Sequence, residues 1–180
     1  MSKVSKLKKY FQSLDGYKIS NTHFKIGAKI HSIDFYYAKR LFQNSYYTAR
    51  IAMLLAIKIK EQLKDEQHPI TIVGYEMYSE LLLSLIKKFL KEFGYAKINH
   101  YVTIDIDGEM KYLPGNVSFN AKIVIVVPIT STGSTINKII ENIKKKRPET
   151  TTESFISFTV LQSYDEDDKF ENLRVKQDAL

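Results

Sequence analysis

The chain has no cysteine in 180 residues. Disulfides, zinc–thiolate sites and cysteine nucleophiles are therefore excluded, and the composition fits a reducing cytoplasm. Long apolar runs are missing as well. The longest, IAMLLAI at 51–57, falls far short of the ~20 residues that a membrane-spanning helix needs. The basic N-terminus MSKVSKLKKYF leads into no apolar stretch of the kind a secretory signal carries. No internal repeat and no low-complexity segment is visible. The expectation is a cytoplasmic protein without membrane contact. Its 44% hydrophobic and 26% charged residues suit one globular domain with a full core.

Charge is unevenly spread. Residues 1–64 hold 13 Lys and Arg against 3 Asp and Glu, whereas 65–180 hold 14 against 17. A basic front half suits a polyanionic small ligand or a nucleic acid, and equally a lysine-rich solvated surface. No nucleic-acid motif accompanies the lysines, so nucleic acid is not the expected partner.

Periodicity predicts the elements. Val4, Leu7, Tyr10, Phe11 and Leu14 recur at helical spacing in the first 20 residues, which Asp15-Gly16 would stop. THFKIGAKIHSIDFYYAKRLF reads as one or two short strands. SYYTARIAMLLAIKIKEQLK (45–64) is a helix with Ser45 as its cap. ITIV (70–73) is a strand ending at Gly74, and 79–94 a helix capped by Ser79 and ended by Gly94. A strand over 97–104 and a hairpin or loop over 105–116 follow. AKIVIVV (121–127) is a buried strand, 134–146 a helix and 153–164 a last strand. This order predicts an α/β fold, a mostly parallel central sheet with helices on both faces. The organisation expected is an N-terminal helical segment (1–20), an α/β domain (21–164) and an acidic tail or linker (165–180).

In such sheets ligands bind at the carboxyl ends of the strands. The sequence IVIVVPITSTGSTINKII places Thr130, Ser131, Thr132, Gly133, Ser134 and Thr135 there, between a strand and a helix. Converging amides, hydroxyls, one glycine and a helix N-terminus are what a phosphate requires. An ordinary strand-to-helix turn uses the same residues. It is not a Walker loop, because no lysine follows the glycine.

The pattern resembles the type I phosphoribosyltransferases. Their signature for phosphoribosyl pyrophosphate (PRPP) is four apolar residues, an acidic pair, two apolar residues, then Thr-Thr-Gly and small residues. IVIV matches the strand, and Ser131, Thr132, Gly133, Ser134 and Thr135 match the 5′-phosphate loop. ITIVGYEMYSELLLSLI looks like the family's strand, pyrophosphate loop (Gly74, Tyr75, Glu76, Met77, Tyr78) and helix. THFKIGAKIHSIDFYYAKRL is similar to the opening of orotate phosphoribosyltransferases. The resemblance, over about residues 22–162, implies a phosphorylated sugar or nucleotide as ligand, Mg2+ when PRPP is bound, and a homodimer.

The departures are specific. Val127 and Pro128 occupy the acidic pair's place, where carboxylates contact the ribose hydroxyls. The region of the family's mobile catalytic loop offers only His100 and Lys111 as cations. It also offers Asp105, Asp107 and Glu109, which suit a substitute carboxylate site or a plain polar hairpin. Glu76 would repel pyrophosphate unless a metal intervened. Two functions stay open: a phosphoribosyltransferase with doubtful transfer of ribose 5-phosphate to a base, and a non-catalytic nucleotide-sensing or interaction domain of a larger protein. No residue is singled out as a metal ligand.

Overall fold

A computed structural model describes residues 13, 17–25, 31–63, 68–106, 109–112, 120–130, 133–162 and 177–179. The chain divides into two compact units, Met1–Thr48 and Ala49–Leu180.

In the first unit, β1 (Tyr17–Lys25) pairs antiparallel with β2 (His31–Tyr36), with a shift of register between Ile19 and Phe24. The helix expected to stop at Asp15-Gly16 lies outside the described residues except for the helical Ser13, and 17–20 belong to β1. A short helix, α1 (Ala38–Phe42), follows, and then α2 (Ser45–Leu63), which continues into the second unit. The cap of α2 is Asn44 and not Ser45. The Tyr47 amide donates to Asn44 Oδ1 at 3.2 Å, the bond that satisfies an orphan first-turn donor.

The second unit holds a six-stranded sheet. Its members are β3 (Ile70–Tyr75), β4 (Ile98–Ile106), β5 (Glu109–Tyr112), β6 (Lys122–Thr130), β7 (Phe155–Gln162) and β8 (Gln177–Ala179), in the order β5-β4-β3-β6-β7-β8. All neighbours are parallel except β4 and β5, which form the expected hairpin. The expected α/β fold is thus present. Within the 165–180 segment, read as tail or linker, Gln177–Ala179 pairs with β7.

Two helices complete the strand crossovers. α3 (Glu80–Glu92) buries Leu82, Leu83, Ile86 and Leu90, and α4 (Ser134–Lys146) buries Ile136, Ile139, Ile140 and Ile143. These are the three-and-four spacings of an amphipathic helix. α4 packs with Val73, Tyr101, Ile123, Ile125, Val127 and Phe155, the odd-numbered residues of the strands. Because side chains alternate along a strand, the even-numbered ones face the other way, where Gly74 lies against Leu83 of α3. Lys60 of α2 lies 5.0 Å from the ring centre of Phe93, just past the end of α3. Gly94, at φ 98°, ends α3 as its sequence suggested. No helix among the described residues is long and apolar enough to cross a membrane.

Candidate functional site

The strand order fixes where a ligand would sit. From β3 the chain passes through α3 to β4 on one side, while β6 lies on the other side and leads through α4 to β7. Since α3 and α4 cover opposite faces, the connections leaving β3 and β6 diverge. Their carboxyl ends, side by side, border a crevice. The two loops picked out in the sequence are therefore neighbours.

On the β6 side the strand runs three residues beyond the expected end at Val127. Val127 and Pro128 are both buried. Pairing with β3 stops at Gly74↔Val126, so above that level β6 has only β7 beside it. The β6–β7 pairing skips Pro128, which has no amide to give, and resumes at Ile129↔Leu161. Thr130 closes the strand, 5% exposed, and its Oγ1 accepts the Gly133 amide at 3.1 Å. That hydroxyl braces the loop from within. Gly133 holds φ 73°, ψ 3°, the left-handed conformation that favours glycine. α4 begins at the next residue, and the Asn137 amide donates to the Gly133 carbonyl at 3.0 Å. Ser134 is exposed and Thr135 half-buried, and the first turn of α4 holds no acidic residue. Ser131 and Thr132 lie outside the described residues.

On the β3 side Gly74 has a packing duty. It is paired on both sides, with Val102 and Val126. A Cβ there would meet Leu83 Cδ1 and Ser79 Oγ at 2.6 Å, so this glycine seats α3 against the sheet. Thr103 Oγ1 donates to the Gly74 carbonyl at 3.1 Å, and the Glu76 amide donates to the Thr103 carbonyl at 2.9 Å. Glu76 then turns the chain at φ 69°, ψ 148°, a region nearly reserved for glycine. One 3-10 turn, Met77–Ser79, leads into α3. Ser79 stands at the cap position, but its hydroxyl donates back to the Glu76 carbonyl at 2.7 Å and accepts no amide of the helix. Met77 is exposed and Tyr78 half-buried.

The turn at Glu76 keeps its carboxylate close to the Tyr75 phenol. Burial, followed by the charge and hydrogen bond of Glu76 and the charge of Asp105, pushes the Tyr75 phenol up to about 12. Past Gly74↔Val126 β3 no longer pairs with β6, and Glu76 turns the chain with its amide on β4.

The remaining candidates separate by face. Asp105 stands next to the end of β4 on the α4 side, where Lys138 Nζ reaches its Oδ2 at 3.3 Å. Lys138 escaped the sequence reading. Its position four residues after Ser134, on the same side of α4, was the available signal. His100 faces α3, with Nε2 at 2.8 Å from Glu80 Oε1 and 3.3 Å from Ser84 Oγ. Lys111 is exposed and pairs with Ile104, an even-numbered residue, so it belongs to the His100 face. Asp107 lies outside the described residues, as does the side chain of Glu109. Among the described residues no three His, Asp or Glu side chains converge as a resident cation requires. Asp105 is already paired with Lys138.

No protein-family model and no curated protein matches the sequence. Solved structures do match. The UMP synthase of Leishmania donovani aligns over 99% of this chain and 36% of its own, at TM-score 0.68 and 14% identity. The hypoxanthine phosphoribosyltransferase of Trypanosoma cruzi, in complex with the product IMP, aligns over 76% of this chain and 77% of its own, at TM-score 0.52 and 12% identity. The chain spans about a third of the length of the UMP synthase it matches. Its architecture, with two loops flanking the crevice between β3 and β6, is the type I phosphoribosyltransferase fold.

Proposed function

We propose that the crevice binds PRPP or the 5′-phosphate of a nucleotide, and that transfer of ribose 5-phosphate to a base is severely impaired. The observation that carries this reading is the state of the β6 end. Val127 and Pro128 are core residues at the position from which an acidic pair would reach the sugar. Ribosyl transfer passes through an oxocarbenium-like state, and carboxylates near the ring favour its positive charge. Removing one well-placed electrostatic group from an active site costs about 3–4 kcal/mol of transition-state stabilisation, and two are missing here. The phosphate end keeps its parts: the left-handed Gly133, the hydroxyls of Ser134 and Thr135, and the positive end of α4. The orotate-like opening and the likeness to a UMP synthase both favour a pyrimidine nucleotide. The ligand enters with Mg2+ when it is PRPP, and the protein works as a homodimer in the cytoplasm.

A second reading is a non-catalytic nucleotide-sensing or interaction domain. It is favoured by the UMP synthase match, in which a unit of this size forms about a third of a longer chain. Calorimetric titration with UMP, IMP and PRPP, with and without Mg2+, tests binding. A pyrophosphate-release assay with orotate, uracil and hypoxanthine tests transfer. Binding without release is expected. Turnover at an ordinary enzymatic rate, roughly 1 per second or faster, would overturn impaired catalysis. Failure of every phosphorylated ligand to bind at millimolar concentration would overturn the phosphate site.

A further inference from the structure

α2 is apolar on two sides. Ile51, Ala52, Leu55, Ala56 and Ile59 are buried, the ordinary three-and-four stripe of a helix on a core. The opposite side carries a second stripe, in which Leu54 is 52% exposed and Met53 and Ile57 are 38% exposed each. The two crossover helices are built differently. The exposed positions of α4 hold no apolar residue, and those of α3 hold only Leu81. A helix with one buried side keeps a polar outer side, whereas a helix apolar all round is covered all round. Clustered large side chains facing water, rimmed by charge, mark an interaction surface.

Charge says what covers it. Arg50 and Glu61 are exposed and share the outer side of α2 with Leu54 and Ile57. Positions 50, 54, 57 and 61 follow at steps of four, three and four, the spacing of a two-helix seam. Along that seam the order is positive, apolar, apolar, negative. Set antiparallel against a second copy, Leu54 faces the partner's Ile57 and Arg50 faces the partner's Glu61, and each pairing occurs twice. This is the self-complementarity of a two-fold interface, in which one residue meets a second and the second meets the first. A parallel alignment would set arginine on arginine and glutamate on glutamate, so charge selects the direction.

We propose that this side of α2 is the interface with a second copy of the chain, the two helices packed antiparallel with Leu54 on the partner's Ile57 and Arg50 on the partner's Glu61. The inference gives a surface to the homodimer of the proposed function and is independent of the phosphate site. Leu54 and Ile57, with Met53 beside them, supply the buried apolar area. The charge pairs at the ends contribute little affinity and fix register and partner choice.

The test is sedimentation equilibrium of the full chain without ligand, from about 1 to 500 µM. The wild type is expected to reach the dimer within that range. Leu54→Asp, at a position half in solvent, should raise the dimer dissociation constant at least about tenfold. Arg50→Glu alone and Glu61→Arg alone should weaken the dimer as well, while the two combined should return the constant to within about threefold of wild type. The combined reversal separates a lost contact from a lost fold, because it restores only the contact. A wild type that stays monomeric throughout would overturn the proposal together with the homodimer, and leave the surface to a different protein. A dimer that Leu54→Asp leaves unmoved would place the interface elsewhere and overturn the proposal alone. A combined reversal no tighter than either single change would overturn the antiparallel pairing. Titration with UMP reads the phosphate site separately.

Discussion

One methyl group at Gly74 would meet Leu83 Cδ1 and Ser79 Oγ at 2.6 Å. Gly74→Ala is therefore expected to destabilise the fold by about 1–3 kcal/mol, read as a lower urea midpoint. Phosphate binding, measured on the fraction still folded, should persist, because the α4 loop does not depend on that glycine. In the sequence Gly74 looked like the start of a ligand loop. A glycine states only that something approaches closely, and α3 does so here. Tyr75 supplies a second expectation. Its folded pKa of about 12 lies above the ordinary 10.0, so the folded state holds the proton more tightly. That contribution is complete below about pH 10 and is lost as pH rises from 10 towards 12. The stability difference between wild type and Tyr75→Phe should shrink over that window. Ultraviolet titration should show Tyr75 ionising late, and Tyr75→Phe should remove that component.

Among the elements, α2 shows how a boundary slips by one residue. Asn44 and Ser45 are both capping types, and composition cannot rank neighbours whose backbone angles decide the matter. Asn44→Ala should cost about 1 kcal/mol in chemical denaturation, and Ser45→Ala much less. α4 was legible to the residue. Gly133 marks its start, isoleucines at 136, 139, 140 and 143 mark its buried side, and three lysines sit in its last turn. β6 was legible only to Val127, because Pro128 reads as a strand breaker. It is tolerated because β3 has already left β6 at that height, and a strand with one flank loses little by lacking one amide. Lys138 and Asp105 could not be joined from sequence, because their meeting depends on how far α4 tilts across the sheet.

At the scale of the molecule, the absence of an acidic pair at the end of β6 is built into the core. Val127 is 2% exposed and belongs to the cluster under α4. Val127→Asp is expected to cost roughly 3–5 kcal/mol, seen as a large fall in melting temperature, because it buries an unpaired charge. Placing a carboxylate at this position therefore requires repacking α4 as well as changing a residue. Alternation of strands and helices made the sheet and its two loops readable, since that order leaves few topologies. The one-sided support of upper β6 also has a kinetic meaning. Residues with neighbours on both sides, Ile123–Val126, open only with the sheet, whereas Ile129 and Thr130 can part from β7 alone. In deuterium the amides of Ile129 and Thr130 should exchange well before those of Ile123–Val126. A bound nucleotide should slow the first pair selectively, which would make the top of β6 a built-in reporter of occupancy.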